Sequence, residues 1–234
     1  MDTVFRNASS KLVIICGPMY SSKTSTLLIE LTRYADVDLS VLYINSEDDT
    51  RGETYSTHNS SLHHLSNKVT TQKTSRLQDL SDDYLDKFKV IGVDESQFFE
   101  DLIPFVKRML KRKKILYVAG LDGDSKQNMF GQILHLIPYA SEVRKLTAVC
   151  EICRNIGRIV PANLTIRRDN LIHLSKSSDL MEKIENSQYN QVKDVGAKDK
   201  YLPVCNDCLF HDHSTSLSIS KSLDKDLSEI NYTI

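Results

Sequence analysis

Apolar residues first cluster at positions 12–16 (LVIIC), a run too short for a helix and rich in β-branched side chains, which suits a strand covered on both faces. Gly17 ends that run, and Leu27, Leu28 and Leu31 then recur at helical spacing within STLLIELTRY. The two patterns go on alternating. Residues 40–45 (SVLYIN), 90–95 (VIGVDE), 115–124 (ILYVAGLDGD) and 143–150 (VRKLTAVC) read as further strands. Residues 77–88, 99–111 and a shorter stretch at 128–140 read as helices. Strands alternating with helices predict an α/β fold, a parallel sheet flanked by helices with ligands at the strand carboxyl ends.

Other stretches break the alternation. The polar segment SEDDTRGETYSTHNSS is too long for a simple connection, which points to function or mobility. Residues 1–10 read as a disordered leader, and the Ser- and Asp-rich residues 211–234 as a disordered tail. The run KRKK closes the 99–111 helix, where cations complement the helix dipole. After Cys150 periodicity fades, and residues 164–194 are polar with a short helix expected near 179–186. The expected organisation is a leader (1–10), a main α/β domain (11–148), a small lobe (149–210) and a tail (211–234).

Composition narrows the class without naming it. With 234 residues, 40% apolar and 26% charged, the chain can form one sizeable domain and a small appendage. A net charge of −1 argues against nucleic acid or an anionic membrane as partner. No apolar run approaches the roughly 18 residues that span a bilayer, and MDTVFRNASSK lacks a signal-peptide pattern. Four of the five cysteines form two C-x-x-C pairs, a metal pattern of a reducing compartment more than a disulfide framework. A soluble cytoplasmic protein is expected.

Candidate chemistry begins in the loop Gly17, Pro18, Met19, Tyr20, Ser21, Ser22, Lys23, Thr24. Strand, loop, Lys-Thr and helix is the context required of the phosphate-binding loop G-x-x-x-x-G-K-[ST]. Backbone N–H groups of the loop and the helix start would converge on phosphate oxygens. Lys23 would neutralise the β- and γ-phosphates of ATP, and the Thr24 hydroxyl would ligate Mg²⁺. Ser22 stands where the motif has glycine, a position that favours positive φ or close backbone approach. The plainer alternative is a strand-turn-helix with a surface lysine.

Asp94 ends an apolar strand, as a Mg²⁺-holding aspartate does, and Glu95 follows it directly. One carboxylate on the metal and a second as general base is what phosphoryl transfer to a hydroxyl needs. The alternative is an acidic pair capping the next helix. Cys150, Cys153, Cys205 and Cys208 suit a closed, structural Zn²⁺ site. Unligated core cysteines are the other reading. His211 and His213 read as tail residues, and Cys16 as a small buried hydrophobe.

In combination the motifs go further. GPMYSSKT, DTR (49–51), STH (56–58), DESQFF (94–99), LDGD (121–124), FGQILHLIP (130–138), KLTAVCEIC (145–153) and VGAKDKYLPVCNDC (195–208) occur in that order. Over residues 11–210 the chain resembles the zinc-containing thymidine kinases of the cellular and poxviral type. The resemblance implies a P-loop parallel sheet with a small zinc-binding lobe carrying a lasso loop, here 193–201. It implies Arg51 near the phosphates, Mg²⁺ at Thr24 and Asp94, and Glu95 as the base for the 5′-hydroxyl of deoxythymidine. It also implies a nucleoside pocket lined by Met19, Phe98, Leu121, Phe130, Val195, Gly196 and Tyr201, and a homotetramer, with a dimer as fallback. The sequence departs from the family pattern at Ser22, at Ser96 (usually glycine), at Ser125 (usually an aromatic near the base) and by an insertion near 164–190. Two other functions stay open: a nucleic-acid-dependent ATPase with a zinc ribbon, and a catalytically weak regulatory homologue that binds nucleotide.

Overall fold

A computed structural model describes residues 9–49, 69–169 and 200–210. The main sheet has six strands, all parallel, in the spatial order β3-β2-β4-β5-β1-β6. They are β1 (Lys11–Gly17), β2 (Val41–Ser46), β3 (Thr70–Thr74), β4 (Val90–Val93), β5 (Ile115–Leu121) and β6 (Glu142–Lys145). Among the described residues, three α-helices lie between them: α1 (Lys23–Ala35), α2 (Asp82–Leu85) and α3 (Leu102–Lys111). β1 lies between β5 and β6, with Lys11 opposite Ile115 and Gly17 opposite Leu121.

The period of two along β1 explains the layers. Leu12, Ile14 and Cys16 join one core with Phe105, Val106 and Met109 of α3. Val13 and Ile15 join the opposite core with Leu27, Leu28 and Leu31 of α1. Each of these three leucines is at most 3% exposed, so each contributes roughly 1.5–3 kcal/mol of burial. No helix among the described residues is long and apolar enough to cross a membrane.

Several expected elements differ in detail. The 77–88 helix splits into a 3₁₀ turn (Leu77–Asp79) and α2, because Leu80 is extended and the Ser81 hydroxyl accepts the Tyr84 N–H to start a new helix. Residues 128–140 form a 3₁₀ helix only over Ile133–Tyr139, with Pro138 inside it. The 143–150 strand divides in two. β6 stops where β1 ends; the Leu146 N–H still donates to the Cys16 carbonyl, and the chain then leaves the sheet. β3 is an additional strand at the sheet edge.

After the sheet come β7 (Ala148–Val149), α4 (Glu151–Asn155), β8 (Pro161–Ala162), β9 (Leu164–Arg167), β10 (Tyr201–Val204) and α5 (Asn206–Phe210). β7 pairs with β8 and β9 with β10, both antiparallel. The start of the expected insertion, 164–167, is therefore a paired strand. These elements share a third core of Ala148, Ala162, Ile166, Leu202, Val204, Leu209 and the four cysteines, against which Tyr20 also packs.

Candidate active site

β4 and β1 flank β5 on its two sides, and because all three run parallel their carboxyl ends lie at the same end of the sheet, where the candidate residues cluster. β1 ends at Gly17, with φ of +149°; a Cβ at this position would lie 2.4 Å from the Leu146 carbonyl oxygen. The turn that follows is folded on itself. The Pro18 carbonyl accepts from Ser21 Oγ (2.8 Å) and from Lys23 Nζ (2.7 Å). Tyr20 (φ +63°) and Ser22 (φ +62°) both adopt left-handed backbone, so the place of the motif glycine does demand positive φ. Ser22 meets that demand with a side chain, and its hydroxyl caps no helical N–H. The first turn of α1 also carries no acidic residue, so no carboxylate of its own offsets the positive end of the helix dipole.

Asp94 lies just past β4 and is 1% exposed. Tyr43 of β2 donates its hydroxyl to Asp94 Oδ2 (2.7 Å), the Glu95 N–H donates to Oδ1 (2.9 Å), and the Thr24 side chain is near enough to the same carboxylate to favour its charge. Burial, and then the charge of Glu95, nevertheless push Asp94 up to about 6; the hydrogen bonds from Thr24 and Tyr43 oppose the rise. The Tyr43 hydroxyl is itself raised well above its usual range by burial and by Asp94. Buried oxygen donors whose charge is disfavoured fit a hard divalent cation, so Thr24 and Asp94 are chemically suited to Mg²⁺.

Glu95 is 8% exposed and takes φ of +46°, unusual for a residue with a side chain. That turn takes the chain out of the strand, so the two adjacent carboxylates do not simply face opposite ways. Gln97 Nε2 donates to Glu95 Oε2 (2.6 Å), while Gln97 Oε1 accepts the Leu121 N–H (3.0 Å). Phe98 and Phe130 meet edge to face, ring centroids 6.0 Å apart. Ser96 is fully buried, and its hydroxyl has no hydrogen-bond partner among the described residues.

The small lobe touches the loop directly. Thr165 of β9 accepts the Met19 N–H through its hydroxyl (2.9 Å), and its carbonyl accepts from Gln127 Nε2 (3.2 Å). Tyr201 of β10 lies under the Arg167 guanidinium, 5.6 Å from the ring centre. The four cysteine sulfurs all lie within 4.8 Å of one another and are buried. Separations of 3.7 Å (Cys150–Cys208), 3.8 Å (Cys153–Cys205) and 3.4 Å (Cys153–Cys208) are far longer than a disulfide. They approach the edge of about 3.8 Å expected for a tetrahedron with Zn–S bonds of about 2.3 Å. Burial pushes the Cys153 thiol up to about 11 and raises the Cys208 thiol as well, whereas at Cys150 burial is outweighed by hydrogen bonds from its neighbours, which lower it, so four thiolates together need a cation. The cluster is thus compatible with structural zinc.

Comparison with known proteins fits this geometry. A family model described as thymidine kinase matches residues 10–209. The thymidine kinase of Yaba monkey tumor virus is 35% identical over 204 residues, spanning 86% of this chain and 96% of the relative. That of Amsacta moorei entomopoxvirus is 32% identical over 197 residues, 83% of this chain and 95% of the relative. The cytosolic thymidine kinase of Gallus gallus is 32% identical over 200 residues, 86% of this chain and 77% of the relative. The chain belongs to the thymidine kinase family.

Within this family member, Thr24, Asp94 and Glu95 come together next to the loop that carries Lys23, Phe98 meets Phe130, and the Leu121 N–H reaches Gln97, the partner of Glu95. Met19 and Tyr201 are joined to that region through β9. Arg51, Val195 and Gly196, with most of the expected lasso and the STH motif, lie outside the described residues. Asp49 is described: it is 1% exposed, accepts from Asn45 Nδ2 (3.0 Å) and receives Lys73 Nζ of β3 at its carbonyl (3.3 Å). Sequence reasoning missed Tyr43 and Thr165. A tyrosine inside the apolar run VLYIN was the only available signal for the first; the second had none.

Proposed function

We propose that the protein transfers the γ-phosphoryl group of ATP to the 5′-hydroxyl of deoxythymidine, giving thymidylate for nucleotide salvage in the cytoplasm. The observation that carries this reading is the convergence of Thr24, Asp94 and Glu95 at the end of β4, beside the loop that carries Lys23. In it, the loop N–H groups and Lys23 bind the phosphates, with Arg51 contributing positive charge to the transferring group. Thr24 and Asp94 hold Mg²⁺, which when bound neutralises phosphate charge. Glu95 takes the proton from the 5′-oxygen as it attacks phosphorus, and ADP leaves.

Met19, Phe98, Leu121, Phe130 and Tyr201, with Val195 and Gly196 of the lasso, line the nucleoside site. The zinc-anchored lobe (149–210) holds that lasso rigidly enough to distinguish bases, and excludes water so that ATP is not hydrolysed. The domain division at 11–148, a homotetrameric assembly, and independence of nucleic acid and membrane belong to the same reading. The test is transfer from labelled ATP to deoxythymidine, deoxyuridine and deoxycytidine, with wild type and Glu95→Gln side by side. Transfer to deoxythymidine that falls steeply in the variant is expected. Tight nucleoside binding without transfer in the wild type would instead identify a regulatory homologue.

A further inference from the structure

We propose that Gln97 is the positioning residue of Glu95: its side-chain amide fixes the Glu95 carboxylate and ties it to the Leu121 wall of the nucleoside site. This inference rests on Glu95 acting as the base.

Gln97 is 5% exposed, and both ends of its amide are engaged. Oε1 accepts the Leu121 N–H at 3.0 Å, and Nε2 donates to Glu95 Oε2 at 2.6 Å. Each contact dictates the other. A backbone N–H can only donate, so the oxygen of the amide must face Leu121 and the NH₂ must face Glu95. The flipped amide would set donor against donor at one end and acceptor against acceptor at the other. A single orientation therefore survives, and it presents a donor to the carboxylate.

Glu95 has need of such a support. It follows β4 in left-handed backbone at φ +46°, where the strand no longer holds it, and its last side-chain torsion is intrinsically broad. Tying Oε2 down restricts that torsion. The surroundings of Gln97 leave little slack. A Cβ at Gly120 would lie 2.8 Å from Gln97 Oε1 and 2.3 Å from Ser96 Oγ. A Cβ at Gly131, where φ is +66°, would lie 2.6 Å from the Gln97 carbonyl oxygen and 2.7 Å from its Cα. Two backbone segments thus close on Gln97 from β5 and from the turn after Phe130. The base is set by the same wall that the nucleoside would touch.

The test compares wild type, Gln97→Met, Gln97→Glu, Glu95→Gln and the double variant Glu95→Gln with Gln97→Met in the full chain. Turnover, KM for deoxythymidine, deoxythymidine affinity by calorimetry and thermal midpoint are measured for each. Methionine keeps the volume and removes both polar ends. Gln97→Met is expected to lower kcat about 10- to 100-fold, the range that misplacement of a reacting group produces, while nucleoside affinity changes within about twofold. In the Glu95→Gln background the same change should cause no further loss, because Gln97 acts through Glu95. Gln97→Glu keeps the acceptor for Leu121 and lacks the donor, so it should lose kcat too, and it serves if the methionine variant folds poorly. Equal losses in both backgrounds, a loss of affinity with kcat intact, or wild-type kcat in Gln97→Glu would overturn the proposal. Full turnover in Glu95→Gln would overturn the base assignment, and this inference with it; a steep loss there with a silent Gln97→Met overturns this inference alone.

Discussion

Replacing Asp94 by Asn should make the nucleotide-free protein more stable at neutral pH while removing its phosphoryl transfer. Asp94 is fully buried, and burial together with the Glu95 charge holds it at about 6, against an ordinary value of 3.8. Between those values the folded protein binds a proton that the unfolded chain has released. Stability therefore falls as pH rises through this window, and the penalty is complete above pH 6. A gap of about 2 pH units at about 1.4 kcal/mol each sets the penalty at roughly 3 kcal/mol. Asparagine has the same shape and keeps an oxygen for Tyr43 or Thr24, but gives up charge-assisted hydrogen bonds, so a net gain of about 1–3 kcal/mol is expected at pH 7.5. Urea unfolding without added Mg²⁺ or nucleotide, at pH 5 and pH 7.5, measures it. About half of the penalty is already present at pH 5, so the advantage of Asp94→Asn should grow by roughly 1–1.5 kcal/mol between pH 5 and pH 7.5. A variant less stable than wild type at pH 7.5, or a difference independent of pH, would refute the argument that the uncompensated charge is what costs stability.

Ser22→Gly should raise the urea midpoint modestly. Left-handed backbone costs a side-chain-bearing residue roughly 1–2 kcal/mol and glycine's unfolded freedom costs about 0.5–1, so the net gain is about 0.5–1 kcal/mol; a loss of stability would show that the Ser22 conformation is not strained. Removing zinc with a chelator, or changing Cys208 to Ala, should lower the thermal midpoint and raise KM for deoxythymidine more than KM for ATP, as read by calorimetry and initial rates with metal content measured in parallel. Unchanged nucleoside KM after zinc loss would mean that the lobe does not organise the nucleoside site.

The parts of the fold legible in the sequence are those whose burial is total. β1, β4 and β5 are nearly continuous apolar runs because helices or other core elements cover both faces, and α1 declares its face through Leu27, Leu28 and Leu31. β3 (TTQKT) was illegible because an edge strand needs no apolar face; only Thr74 of its five residues is buried. β7 to β10 were hidden for another reason. They are two to four residues long, and their core includes four sulfurs, so hydrophobic periodicity is not what orders them. The 143–150 run looked like one strand because both of its halves pair, although with different partners. Lys23, Asp94 and Glu95 stand out in the sequence as motif residues, whereas the contacts of Tyr43, Gln97 and Thr165 arise only through register, rotamer and the docking of the lobe.

Backbone strain links these observations. Among the described residues, three of the side-chain-bearing positions with positive φ, Tyr20, Ser22 and Glu95, stand at the ends of β1 and β4. A residue in that conformation persists only where its surroundings over-determine it. Here they do so by unrelated means: Tyr20 is held by the lobe core, and Glu95 by Asp94 and Gln97, next to strands with essentially no exposed surface. Ser22 alone has an exposed side chain without a cap bond, so its conformation rests on the loop and helix on either side. The loop is therefore braced from two directions, by β1 and by the lobe through Tyr20 and Thr165. Loosening the lobe should disturb the 17–24 loop even though none of the four cysteines lies in it.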